Sequence, residues 1–132
     1  MYFTKGHAKF RILYHIIFVV KYRKPLLVHA GEDIKGKLEE IAKRIDSRFS
    51  LEAMEVDRDH IHLRVHADPS VAPVQIVRRL KQESTVFIWK KHEAFLRRHF
   101  WNERTFWTDG YFVSSIGDVS EQTLRQYIDS QG

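Results

Sequence analysis

Seven consecutive residues alternate without interruption. Ile61, Leu63 and Val65 fall on one side, and His60, His62, Arg64 and His66 on the other. A period of two is a β-strand with one face in an apolar core and one face open. The strand therefore belongs to a sheet whose second face carries three imidazoles and a guanidinium.

The rest of the chain reads around that strand. Residues 49–57 form its hairpin partner, joined through a tight turn at Asp57-Arg58-Asp59. Residues 9–22 form a long strand rich in Ile, Val, Phe and Tyr, apolar on both faces and so central and covered, at least in part, on both sides. Residues 31–48 carry Ile34, Leu38, Ile41 and Ile45 at helical spacing, and 73–91 place Val77, Leu80, Ser84 and Phe87 on one stripe. Residues 92–109 are aromatic and ambiguous. Residues 110–116 read as a further strand, broken by Gly117, and Asp118 with Glu121 suggests a capping box for a last helix reaching Gln131. The order strand-helix-strand-strand-helix-strand predicts an α+β, ferredoxin-like or RRM-like antiparallel sheet, its helices on one face, plus a C-terminal helix. That fold hosts many functions, so function is argued from sites.

The chain has 132 residues, one domain's worth, with no repeat and no linker. Cysteine is absent, which excludes disulfides, thiolate zinc sites and a cysteine nucleophile. The longest apolar run, Ile16 to Val20, is far too short to span a membrane, and a cytoplasmic location is expected. The net charge of +5 is concentrated: residues 1–24 hold six basic and no acidic side chains, and 71–101 hold seven against two. Brought together, these segments would suit a phosphate backbone; apart, they are a solvated surface.

Two constellations carry chemistry. His60 and His62 share a face, so their imidazoles can converge on one metal ion, with Arg64 as a cationic neighbour suited to phosphate. A third ligand is needed, most plausibly an oxygen donor for Mg²⁺ or Mn²⁺. An ordinary polar strand face would show the same pattern. Tyr127 and Gln131 lie four apart on the last helix, beside a docking stripe of Leu124 and Ile128. A phenol close to a metal and cations can attack a phosphodiester; a packing tyrosine and a frayed end would look alike.

Asp59-His60-Ile61-His62-Leu63 is a His-hydrophobic-His motif. With Tyr127 near the C-terminus, the chain resembles the single-domain, single-tyrosine HUH transposases of small insertion sequences (TnpA type). Three further segments resemble that family: Tyr14 to Lys24, Phe106 to Ser114, and Thr123 to Ile128. The resemblance implies a metal-dependent strand transferase on single-stranded DNA. His60, His62 and Gln131 would be metal ligands, and Tyr127 the nucleophile forming a 5′-phosphotyrosine. It implies recognition of hairpins at element ends by a homodimer, with the tyrosine helix of one subunit often completing the other's site; Gly117 would be the pivot. Lys21, Arg23, Lys24, Arg78, Arg79 and Lys81 become candidates for phosphate contacts, and Trp107, Tyr22 or Phe106 for base stacking. The rival from another class is a non-catalytic binder of structured single-stranded nucleic acid. A domesticated relative with the same chemistry stands between them, and a metal-dependent phosphodiesterase in which Tyr127 is incidental is a third reading.

Overall fold

The computed structural model describes residues 3–5, 8–10, 12–115 and 121–131. Gly117 and Asp118, read above as a pivot and as half of a capping box, lie outside the described residues. A short hairpin, β1 (Phe3–Lys5) and β2 (Ala8–Phe10), precedes the main sheet. That sheet holds β3 (Ile12–Val19), β4 (Phe49–Val56), β5 (His60–Ala67) and β6 (Phe112–Ser114) in the order β4-β5-β3-β6, with every pair antiparallel. Helices α1 (Leu27–Ile45) and α2 (Pro73–Lys91) lie in the connections expected of a split β-α-β domain. The short α3 (Glu93–Phe100) follows α2, and α4 (Glu121–Ser130) closes the chain.

The main core lies between one sheet face and α1 and α2. Ile16, Phe18, Ile61, Leu63 and Val65 meet Ile34, Leu38, Ile41, Val77, Leu80 and Ile88, all essentially without solvent contact. At ~1.5–3 kcal/mol for each fully buried aliphatic side chain, this layer supplies most of the folding drive. A second, smaller cluster lies on the opposite sheet face. Ile17 and Val19 of β3 are covered there by Ile128, with Leu124, Tyr127 and Phe112 packed at its edge. Thus β3 is buried on both sides, as its composition predicts.

Element ends depart from the sequence reading for local reasons. Helix α1 starts at Leu27, four residues before the expected start at 31, so Gly31 lies inside it. The Val56 Cγ1 methyl stands 3.2 Å from where a Cβ would be, so the missing side chain admits the end of β4. The helix stops at Ile45 because the Asp46 carboxylate takes the Arg48 backbone N–H at 2.9 Å and its guanidinium at 2.8 Å. Strand β3 ends at Val19. The chain then enters a 3-10 turn (Lys21–Arg23) in which Tyr22 and Arg23 have positive φ. The ambiguous stretch 92–109 resolves into α3 and an extended return. Lys21 N–H donates to Phe106 O and Thr108 N–H to Val19 O, and Val20 bridges Trp107. Phe106 and Trp107 are buried in the core, so neither offers a ring to a base; Tyr22 is exposed.

Candidate active site

Register places the two histidines. His60 pairs with Val19 and His62 with Ile17, both on the central strand, so their side chains emerge beside the second apolar cluster rather than on open sheet. Both are half-buried. A cleft of about 250 Å³ opens there between β5, the end of β4 and α4, lined by His60, His62, Glu55, Asp57, Arg125 and the apolar side chains around them.

Each imidazole is held by a neighbour. His60 Nδ1 lies 2.8 Å from Asp59 Oδ1, which leaves Nε2 toward the cleft, with Asp57 Oδ2 3.9 Å from it. Burial opposes ionisation of Asp59, but hydrogen bonds from His60 and Arg23 outweigh it and hold the carboxyl below the ordinary range. A carboxylate on Nδ1 fixes the tautomer and strengthens the outer nitrogen as a ligand. His62 Nε2 lies 3.1 Å from Nδ1 of His15, and the two rings stack with centroids 5.2 Å apart. Burial first, then the charge of His15, pushes His62 below the ordinary histidine value, a shift that favours the unprotonated ring a metal ligand requires. His15 is the residue that sequence reasoning missed. Its signal was its place on the Ile17 side of β3, toward the histidine face of β5.

Tyr127 packs at the edge of the same apolar cluster that the histidines border. Leu124, Arg125 and Ile128 are what α4 contributes to the cleft; Tyr127 and Gln131 do not line it. The Tyr127 ring packs on Phe112 at 5.5 Å, and its hydroxyl is buried beside Gly110 with no hydrogen bond of normal geometry. Burial pushes the phenol above its ordinary value, with neighbouring Thr108 pulling weakly the other way. Gln131 lies just past the end of α4, its backbone N–H on Ile128 O at 3.1 Å and its side-chain amide donating to Ser130 Oγ at 3.0 Å. Among the described residues, no group of three His, Cys, Asp or Glu side chains is close enough to hold a metal ion.

The predicted phosphate contacts separate into two sets. Lys21 is engaged by Glu103 at 2.8 Å and Arg79 by Glu83 at 2.8 Å. The Lys81 ammonium donates to the carbonyls of Thr108 (2.6 Å), Gly110 (3.1 Å) and Asp109 (3.2 Å), so it braces the loop beside Tyr127. Arg23 bridges Asp59 and Asp129, both at 3.2 Å, and so ties the carboxylate behind His60 to α4. Lys24, Arg78 and the cleft residue Arg125 form no ion pair among the described residues.

Comparison with known proteins meets this geometry. The family described as "Transposase IS200 like" matches residues 8–131. The ISDra2 transposase TnpA of Deinococcus radiodurans is 32% identical over 124 residues, covering 92% of this chain and 85% of the relative. The transposase for insertion sequence element IS200 of Salmonella typhimurium is 24% identical over 128 residues, covering 96% and 80%. A solved Deinococcus radiodurans R1 structure assigned as a transposase superposes with a TM-score of 0.86 at 27% identity, covering 99% of this chain and 98% of that one. A REP-associated tyrosine transposase bound to a REP hairpin shares the fold at a TM-score of 0.56 and 14% identity, over 96% of this chain and 69% of that one. The four-stranded antiparallel sheet with its helices fits these matches, and the chain belongs to the IS200-like transposase family.

Proposed function

We propose that this transposase cuts and rejoins single-stranded DNA through Tyr127, at a divalent metal held in part by His60 and His62, with hairpins at the element ends as its targets. The carrying observation is the Asp59–His60 pair at 2.8 Å beside His62, whose pKa burial pushes down, at the wall of a cleft that Arg125 also lines. Two imidazoles, one oriented by a carboxylate, fit two of the donors that Mg²⁺ or Mn²⁺ takes in a mixed nitrogen and oxygen site; Gln131 is the third donor that the family resemblance implies. When bound, the metal would polarise a phosphoryl oxygen of the scissile phosphodiester.

The chain's own residues do the rest. Arg125 offers a fork of donors to a phosphate entering the cleft. Arg23 and Asp59 keep His60 in one orientation. The Tyr127 oxygen attacks phosphorus, its proton leaves to water, and the 3′ oxygen of the preceding nucleotide departs. The 5′ phosphate stays on tyrosine, and the freed 3′-OH can later reverse the step on another end without ATP. Because Tyr127 and Gln131 lie outside the cleft of a single chain, the reaction needs α4 to move, or α4 of a second copy of this chain to enter. A homodimer meets that need.

The test is covalent trapping. Single-stranded DNA from both flanks of the gene, 3′-labelled, is incubated with protein and Mn²⁺ and run on a denaturing gel. A labelled band displaced by one protein mass, lost with EDTA and in Tyr127→Phe, is expected. Tight native-gel binding of the same DNA with no adduct would overturn strand transfer in favour of a non-catalytic single-strand binder, a reading that the sequestered hydroxyl of Tyr127 favours.

A further inference from the structure

Three non-glycine residues have positive φ among those described: Tyr22 (63°), Arg23 (52°) and Trp101 (50°). A bulky side chain in that region is strained, and glycine would adopt it freely. Strain of this kind persists where a side chain is needed at that spot, often at a ligand contact. Folding does not explain these aromatics. Trp101 is 79% exposed and Tyr22 58%, whereas Trp89 and Trp107 are buried.

The two exposed rings share one rim. Trp101 follows α3, with its N–H on Arg97 O at 2.9 Å, and Glu103 N–H closes the same turn on Phe100 O at 2.9 Å. The Glu103 carboxylate takes Tyr22 Oη at 3.2 Å and Lys21 Nζ at 2.8 Å, so it fixes the Tyr22 ring against the turn that presents Trp101. Phe100 backs Tyr22 at 6.3 Å. Lys24 and Arg98 form no ion pair among the described residues. Lys24 closes the turn that carries Tyr22, its backbone N–H on Lys21 O at 3.4 Å, and Arg98 stands in the last turn of α3, just before Trp101.

We propose that this rim is a stacking site for unpaired bases of single-stranded DNA, with Trp101 and Tyr22 as platforms and Lys24 and Arg98 as phosphate contacts. The proposal rests on the reading of the chain as a single-strand transferase and names where the flanking strand is held. Every base has a π-face, so an aromatic platform flanked by cations that form no ion pair among the described residues suits a single strand without a required sequence. Duplex DNA, with its bases already stacked, would use the cations alone. Arg23, in the same turn as Tyr22, reaches Asp59 behind His60, so a strand on this rim would lie one residue from the support of the histidine site.

Trp101 is the natural reporter, since the other two tryptophans are buried. The probes are an oligothymidylate of about 20 nucleotides and a blunt hairpin of equal length. The oligothymidylate should shield the tryptophan emission from iodide, and the hairpin should not. Trp101→Ala should weaken oligothymidylate binding at least about fivefold, with Trp101→Phe retaining most of it, because base stacking contributes ~1–3 kcal/mol per base. Lys24→Ala with Arg98→Ala should lower the salt slope by about 1.4, at ~0.7 per phosphate contact. Trp101→Ala binding like wild type, with wild-type emission still open to iodide at saturation while the Tyr127 adduct forms normally, would overturn the stacking site and leave strand transfer standing. A wild-type protein that neither binds the oligothymidylate nor forms an adduct would overturn both.

Discussion

The proposed chemistry turns on the hydroxyl of Tyr127, which is buried without a good partner and is not among the groups that line the histidine cleft. A buried hydroxyl lacking its hydrogen bond costs ~1–3 kcal/mol. Tyr127→Phe should therefore match or exceed wild-type stability by about 1 kcal/mol in urea titration while losing the covalent adduct. Asp59 acts through His60, so Asp59→Asn should lower Mn²⁺ affinity about 10- to 100-fold by calorimetry without unfolding the domain. His62 gives a pH signature. Its folded-state pKa lies below the ordinary 6.5, so on acidification the unfolded chain takes the proton first. Its contribution to stability is complete above that value and is lost as pH falls through it. The urea midpoint should drop from pH 8 to pH 5.5, and His62→Gln should flatten that drop. At Trp101 the strain argument runs the other way: Trp101→Gly should raise the melting temperature while weakening single-strand binding.

At the scale of elements, α4 is held to the described fold by a small contact set. It docks on the second cluster through Ile128 and the edge of Leu124, and is tied to the 3-10 turn by the half-exposed Arg23–Asp129 pair. Ile128→Ser should speed amide exchange throughout α4 about 100-fold or more and leave the core strands protected. Lys81 shows how an element can reassign a residue. On the sequence it is one of several basic residues of α2; in the fold its ammonium holds three carbonyls of the loop beside Tyr127, and burial pushes its pKa down. Lys81→Met should cost ~1–3 kcal/mol of stability, in urea, and leave the salt slope of DNA binding unchanged. A steeper effect on the salt slope than on stability would return Lys81 to the DNA contacts. Helix and strand cores were legible because Ile34, Leu38 and Ile41, or Ile61, Leu63 and Val65, repeat with the period of their element. The ends were not, because Gly31 inside α1 and the Asp46–Arg48 pair are decided by partners far from any periodicity.

For the whole molecule, the separation of Tyr127 from the histidine cleft makes assembly the deciding question. If α4 of a second copy completes each site, mixing His60→Ala with Tyr127→Phe should restore about a quarter of the wild-type adduct. Random pairing makes half the dimers mixed, each with one intact site. If α4 acts within its own chain, the mixture should stay inactive.

What the sequence determined by itself was the alternation that put His60 and His62 opposite the core, the strand-helix order, and the spacing of Leu124 and Ile128 that docks the last helix. These are properties of neighbours along the chain, and backbone geometry converts them directly into faces. Only the tertiary structure decided which side of α4 looks into the cleft, that His15 stands against His62, that Arg23 and Lys81 bind protein groups, and that Trp101 rather than Trp107 is exposed. The physical reason is the same for each. A side chain's partner depends on packing between segments tens of residues apart, and neither charge nor aromaticity says in advance whether that partner is solvent, carbonyl, carboxylate or base.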